Sequence, residues 1–252
     1  MEEKKRIGIL GCGWLGKPLA IDMIARGYEV KASTTTEEKT EEMNALGMQP
    51  FVVSLGQLTK ESISFFKVDI LIVAITSKDI LGYMQLAKII EASSISKVIF
   101  ISSTSVYGKL EGKHTEESRL VKSPLTEIEK VFINSPIDTT IIRFGGLVGY
   151  NRQPGKFFTG RRVPNPNGVV NLIHRDDCIA VIRAILDKNI AGEIFNACSS
   201  DHPNRGAYYS QSSRDLGLSE PLIDQNDPTI VSEVVSDKLE KHTGLRFTLH
   251  LD

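Results

Sequence analysis

The chain has 252 residues, 41% hydrophobic and 24% charged, with a formal net charge of −1, which fits a folded globular protein of one domain or of one domain with a small lobe. That balance excludes a general attraction to nucleic acid or to anionic membrane, and no apolar run approaches the roughly 20 residues that cross a bilayer. Cys12, Cys178 and Cys198 lack C-x-x-C or metal-ligand spacing, one of the three must stay unpaired, and five scattered histidines form no zinc pattern; together these point to a reducing cytoplasm and to no metal centre.

In chain order, Met-Glu-Glu-Lys-Lys-Arg leads into an apolar run too short for a signal-peptide core. Strand-like runs follow at Arg6–Leu10, Tyr28–Ala32, Pro50–Val53, Asp69–Ile75 and Lys97–Ser102. Helical patterns fall near 14–26, 37–46 and 79–92, and only a short segment separates the third and fourth strands. Thr36 is the expected cap of the second helix, with Glu37 and Glu38 in its first turn. Unbroken apolar strands such as Ile70-Leu71-Ile72-Val73-Ala74 indicate burial on both faces, as in a parallel sheet covered by helices. Strand–helix alternation then predicts right-handed crossovers and an α/β, Rossmann-type doubly wound sheet over residues 1–150.

A helix is expected over Glu117–Asn134, ended by Ser135-Pro136, and Thr139–Phe144 reads as a sixth strand. Residues 150–168 are rich in Gly, Pro, Asn and Arg and read as a long exposed loop. A strand at 169–173, a helix near 176–188 capped by Asp176 or Asp177, a strand over Glu193–Ala197 and a helix over 203–217 complete the pattern. With no clear linker, residues 151–252 are expected to form a small C-terminal α/β substrate lobe packed back on the core.

The most informative segment is Ile7-Gly-Ile-Leu-Gly-Cys-Gly-Trp-Leu-Gly16, a strand running into G-x-G-x-x-G. Gly11 suits the tight turn, Gly13 a close backbone approach to a pyrophosphate, and Gly16 close packing of the next helix. The N-terminus of that helix would face the phosphates with free N–H groups and a partial positive charge. A single glycine motif is weak evidence, but this one sits between an apolar strand and a helical pattern, where the mechanism needs it.

Further segments resemble the extended short-chain dehydrogenase/reductase family, in its NAD-dependent epimerase/dehydratase branch. Ser102-Ser103-Thr104-Ser105-Val106-Tyr107-Gly108 is similar to its S-S-x-x-V-Y-G signature, and Arg143–Gly149 to its R-x-x-x-x-Y-G segment. Asn171-Leu-Ile-His-Arg-Asp-Asp177 resembles its N-x-I-H-x-x-D segment, and Glu193-Ile-Phe-Asn196 its G-x-x-Y-N strand. The likeness runs in order from residue 6 to about 248 and marks a compact, atypical member. The family spaces its glycines G-x-x-G-x-x-G, unlike this chain. The resemblance also places Val121 and Leu125 where the family carries its catalytic Tyr-x-x-x-Lys, counting back from Glu129; neither can move a proton, and Lys122 is off register.

The resemblance implies a bound NADP or NAD. Its contacts would come from Gly11, Gly13, Trp14, Leu15 and Gly16, from Ser33, Thr34 and Thr35 after the second strand, from Ala74, Ile75 and Thr76 after the fourth, and from Ser102. Thr34 stands where the family has a ribose-binding carboxylate; losing that charge removes the main barrier to a 2′-phosphate, so the sequence favours NADP over NAD. Ser103 matches the catalytic serine, and Tyr107 is the nearest surviving phenol, although a phenol needs a neighbouring cation to act as a base near neutrality. His174 and Arg143 read more simply as structural. Arg152, Lys156, Arg161 and Arg162 form one basic cluster where the family's substrate lies, suited to an anionic small molecule.

Two functions follow. One is an NAD(P)-dependent oxidoreductase or epimerase on a small or nucleotide-linked alcohol or carbonyl, with non-standard proton transfer. The other is a non-catalytic NADP(H)-binding sensor or partner-binding protein. A hydroxyacid-dehydrogenase reading shares the glycine motif but not Ser103–Gly108 or Ile173–Asp177. A monomer or a homodimer is expected, the family often pairing through helices such as the one near 117–134.

Overall fold

A computed structural model describes residues 5–249. The chain divides into two compact units. Among the described residues the first comprises 5–102, 122–142 and 189–194, the second 103–121, 143–188 and 195–249.

In the first unit, β1 (Arg6–Leu10), α1 (Gly16–Ala25), β2 (Glu29–Thr34), α2 (Thr40–Ala45), β3 (Gln49–Val52), α3 (Lys60–Ile63), β4 (Ile70–Val73) and α4 (Ile80–Glu91) alternate as the apolar pattern predicts. After β5 (Lys97–Ser103) the chain forms β6 (Gly112–His114), α5 (Pro124–Ile133) and β7 (Thr139–Phe144). The seven-stranded sheet has the order β3-β2-β1-β4-β5-β7-β10, with β10 at Ile194–Ala197. β1 runs parallel to both β2 and β4, β2 to β3 and β4 to β5. The fold is therefore the α/β Rossmann-type sheet expected, and it places the carboxyl ends of β2, β1 and β4 side by side.

The core of this unit gathers Phe65, Phe66, Val98, Phe100, Ile128 and Phe132 among others. Phe100 stacks on Phe132 at 4.5 Å, and Tyr83 meets both edge-on at 5.9 Å. Such buried aromatics carry much of a core's apolar burial. A ladder of polar contacts fixes the strand starts: Asp69 accepts from the Arg6 amide at 2.8 Å and from its guanidinium at 2.9 Å.

In the second unit, β6 pairs in parallel with β11 (Ser232–Val234), and β8 (Gly146–Val148) with β9 (Leu172–His174). Helices α6 (Arg175–Asp187), α7 (Arg205–Asp215) and α8 (Asp237–Thr243) complete it. Its own small core joins Val148, Val163, Val170, Leu172, Tyr208 and Tyr209.

Several boundaries differ from the sequence reading for identifiable reasons. The expected helix over Glu117–Asn134 starts only at Pro124, because Ser123 and Thr126 form a capping box and proline fits the first helical position. The third and fourth strands are separated by α3 and a 3-10 turn rather than by a bare segment. Asp69–Ile75 shortens to Ile70–Val73, and the strand expected at 169–173 lies at Leu172–His174. Thr36 makes no side-chain cap, and a 3-10 turn over Glu37–Lys39 precedes α2. Neither Asp176 nor Asp177 caps α6; the His174 ring does, accepting from the Asp176 amide at 3.3 Å. The helix expected at 203–217 begins after Asn204, whose side chain accepts from the Ala207 amide, leaving Pro203 outside. Residues 150–168 are not a wholly exposed loop, since Val163 is fully buried and Phe157 and Phe158 pack on the second core.

Candidate functional site

The first unit builds a cradle from the loop between β1 and α1. Gly11 has φ +102°, a conformation side chains rarely adopt, and a Cβ there would lie 2.7 Å from the Ala74 carbonyl oxygen. A Cβ on Gly16 would lie 2.1 Å from the Gly11 carbonyl oxygen. At Gly13 a Cβ would meet nothing within 4 Å. Two of the three glycines are thus required by the protein's own packing, whereas the third faces open space. That is the arrangement a pyrophosphate needs if it is to approach bare backbone at the start of a helix. The residues present therefore fit a dinucleotide.

The sheet order brings the other expected cofactor residues to the same edge. Ser33 is buried and spent on the loop, its hydroxyl accepting from the Gly11 amide at 2.8 Å while its carbonyl accepts from the Cys12 amide. Thr34 is buried at the end of β2 and its hydroxyl accepts from the Thr36 amide at 3.3 Å; Thr35 is exposed. Leu15 is buried under the loop and Trp14 is half-buried on it. After β4, Ala74 and Ile75 are half-buried and Thr76 is exposed, with the Tyr83 hydroxyl donating to the Ile75 carbonyl. Ser102 is turned inward, donating to the Glu129 carboxylate at 2.5 Å. Burial holds the Cys12 thiol at about 11, beside the Met48 sulfur. Leu125 packs against the apolar core of this unit.

The second unit contains a cavity of about 960 Å³. Ser103, Thr104 and Ser105 line it from the turn after β5, Arg205 and Tyr209 from α7, and Asp227 and Ile230 from the segment before β11. The Ser103 hydroxyl accepts from the Ser105 amide at 3.1 Å, which orients it at the wall. Asn165 grips the Ile230 backbone through both N–H and C=O, and Asn171 does the same across Ser232 and Val234. These two amides hold one wall of the cavity in place of a strand partner.

Tyr107 does not line this cavity. It is 1% exposed, and its hydroxyl lies 2.7 Å from the Asn196 Oδ1 and 2.9 Å from the Thr115 carbonyl as acceptors, while Arg143 donates to it at 3.0 Å. The Arg143 guanidinium also lies over the tyrosine ring, so it is the neighbouring cation that the sequence could not name. Burial nevertheless raises the phenol above its ordinary value, and the nearby arginine only partly offsets this. Asn196 further donates to the carbonyls of His114 and Val235, and its own amide is accepted by the Glu116 carboxylate at 2.7 Å. Burial raises that carboxyl. Val121 packs on Gly108, where an added Cβ would lie 2.7 Å away, and its amide donates to the Val106 carbonyl. His174 caps α6 and fills the space beside Gly149.

The expected basic cluster is dispersed. Of Arg152, Lys156, Arg161 and Arg162, only Arg162 lines the cavity. Its guanidinium is bonded by Asp224 at 3.0 Å and, more closely, by Asp227. Arg161 donates to the Phe157 carbonyl, the exposed Lys156 ends a 3-10 turn, and Arg152 pairs through its backbone with Gly149. Arg205 and Tyr209 were not singled out from sequence. Their i, i+4 spacing on a helix was the available signal.

A family profile described as NAD(P)H-binding matches residues 11–189. Protein YeeZ of Escherichia coli (strain K12) is 33% identical over 237 residues, covering 86% of each chain. Among solved structures, a short-chain dehydrogenase/reductase superfamily protein from Agrobacterium tumefaciens with bound NAD superimposes with a TM-score of 0.78 at 17% identity, over 98% of this chain and 94% of that one. The UDP-glucuronic acid 4-epimerase from Bacillus cereus, in complex with NAD, gives 0.78 at 19% identity over the same shares. At these identities the structural likeness speaks for the fold. No helix among the described residues is long and apolar enough to cross a membrane.

Proposed function

Since the chain belongs to the NAD(P)H-binding family and has the fold of short-chain dehydrogenase/reductase and epimerase/dehydratase-like proteins, we propose that it is an oxidoreductase or epimerase acting on a small or nucleotide-linked alcohol or carbonyl compound. The reading rests on one observation above the others: Gly13 faces open space while Gly11 and Gly16 are walled by backbone. When bound, the nicotinamide supplies reversible hydride exchange, chemistry that belongs to the cofactor. The protein's part is to cradle the pyrophosphate on the amides after β1, to set the ribose against Thr34 and Thr35, and to hold the substrate oxygen near Ser103.

NADP is favoured over NAD, because β2 ends on Thr34 and brings no carboxylate of its own against a 2′-phosphate. Proton transfer does not fall to Tyr107, whose hydroxyl is spent on Arg143, Asn196 and Thr115. It falls to the hydroxyl of Ser103 or to water in the cavity. The same sealed tyrosine favours a second reading, a sensor that binds NADP(H) without turnover. Three free thiols fit work in a reducing cytoplasm.

Titration with NAD, NADH, NADP and NADPH, followed by turnover screens on the loaded protein, tests both. Saturable binding with turnover supports the enzyme. Binding without turnover across alcohols and carbonyls selects the sensor, and failure to bind any of the four sinks both.

A further inference from the structure

Three cations line the cavity of the second unit, the exposed Lys109 and two arginines in opposite electrostatic states. Arg162 is over-compensated, with one guanidinium facing the carboxylates of Asp224 and Asp227. That corner carries one net negative charge, which disfavours a diphosphate there although both carboxylates bond the same terminal nitrogen of the guanidinium.

Arg205 is the reverse. Among the described residues it forms no ion pair, and its guanidinium makes one hydrogen bond, to the Val169 carbonyl at 3.1 Å. Its Nε is buried without a partner. A buried, unsatisfied donor on a charged group is costly, and the single bond to Val169 leaves the charge of this cavity-lining guanidinium uncompensated. Its position adds to the argument. Arg205 is the first residue of α7, an eleven-residue helix, so its charge sits at the end that already repels cations. Apart from its bond to the Val169 carbonyl, this cation has no counter-charge among the described residues.

The rest of the wall is mostly apolar. Phe158 meets Tyr209 edge-to-face at 4.8 Å, and Val170, Leu172 and Ile230 continue the surface. The amides of Asn165 and Asn171 are engaged by the backbone of residues 230–234, which withdraws two groups that could read a polar headgroup.

We infer that this cavity takes a small compound with a single carboxylate and an apolar body, the carboxylate on Arg205, and not a nucleoside diphosphate. This narrows the proposed function and rests on its reading of the cavity as the substrate site. An arginine fork matches a carboxylate in shape as well as charge.

The test is calorimetric titration of the full chain with 3-phenylpropionate and with UDP-glucose. The expected result is saturable binding of phenylpropionate and none of UDP-glucose. Arg205→Gln should weaken phenylpropionate binding at least tenfold. Asp224→Asn combined with Asp227→Asn should free Arg162 and admit UDP-glucose without weakening phenylpropionate. Because Arg205 also ties down Val169, a thermal melt of each variant accompanies the titrations, and the Asp224/Asp227 variant tests the idea independently of Arg205. UDP-glucose binding to the unmodified chain, absence of phenylpropionate binding, or binding indifferent to Arg205→Gln would each overturn the inference. Dinucleotide binding, followed separately through Trp14, reports on the proposed function: its loss with carboxylate binding intact would defeat that reading and leave this one standing.

Discussion

Tyr107→Phe removes one oxygen from a densely bonded polar site of the second unit. The ring, and its stack on His114 at 5.1 Å, would remain. What disappears is the acceptor for Arg143 and the donor to Asn196 or Thr115. A bond to a charged donor contributes about 1.5–3 kcal/mol and a neutral one about 0.5–1.5 kcal/mol, so the loss should be about 2–4 kcal/mol. At about 2–4 °C per kcal/mol for a chain of this size, melting should fall by roughly 5–15 °C. Urea unfolding followed by circular dichroism gives the free energy, and calorimetry gives the melting shift. The same variant should retain dinucleotide binding. A variant as stable as the parent that nevertheless loses turnover would refute the reasoning, because it would make the hydroxyl a catalytic group rather than a structural one.

Three further outcomes follow from the same structure. The Arg6 guanidinium and amide hold the Asp69 carboxyl below its usual range, so its contribution to stability is present above the ordinary carboxylate pKa and is lost as pH falls through the depressed one. Asp69→Asn should flatten the acid limb of a stability–pH profile, and an unchanged limb would contradict this. Glu116 is shifted upward by burial, so its folded form prefers the proton and stability should decline as pH rises from the ordinary carboxylate value to the raised one; Glu116→Gln should remove that slope. Cys12, held at about 11 against an ordinary 9.0, should react with iodoacetamide near neutral pH roughly tenfold more slowly than an unperturbed thiol, the smaller thiolate fraction being partly offset by higher intrinsic nucleophilicity, as mass spectrometry of the alkylated peptide would show.

The first unit was largely legible because its signals are local. Unbroken apolar runs at Ile70–Val73 and Val98–Phe100, alternating with helical patterns, point to strands buried on both faces, and the glycine loop needs only its own ten residues to be read. Where local signals competed, boundaries moved: Pro124 and the Ser123 box stopped a helix that hydrophobic periodicity would have extended back to Glu117. The second unit was read less well, because its contacts are long-range. Nothing near Arg162 announces that Asp224 and Asp227, about 60 residues on, will neutralise it. Nor does the sequence reveal that Asn165 and Asn171 will serve as strand partners for residues 230–234. The short strands β6 and β11, of three residues each, carry too little periodicity to be seen.

The central claim is that the loop after β1 is shaped for a dinucleotide and not merely for its own packing. The direct measurement is NADH and NADPH titration, read by energy transfer from the single tryptophan, Trp14, on the parent and on Gly13→Ala, with a thermal melt of each. A Cβ at Gly13 meets nothing in the protein, so the account predicts an unchanged melting temperature together with at least a tenfold loss of dinucleotide affinity. Undiminished binding by Gly13→Ala, or a parent that binds neither nucleotide, would contradict it.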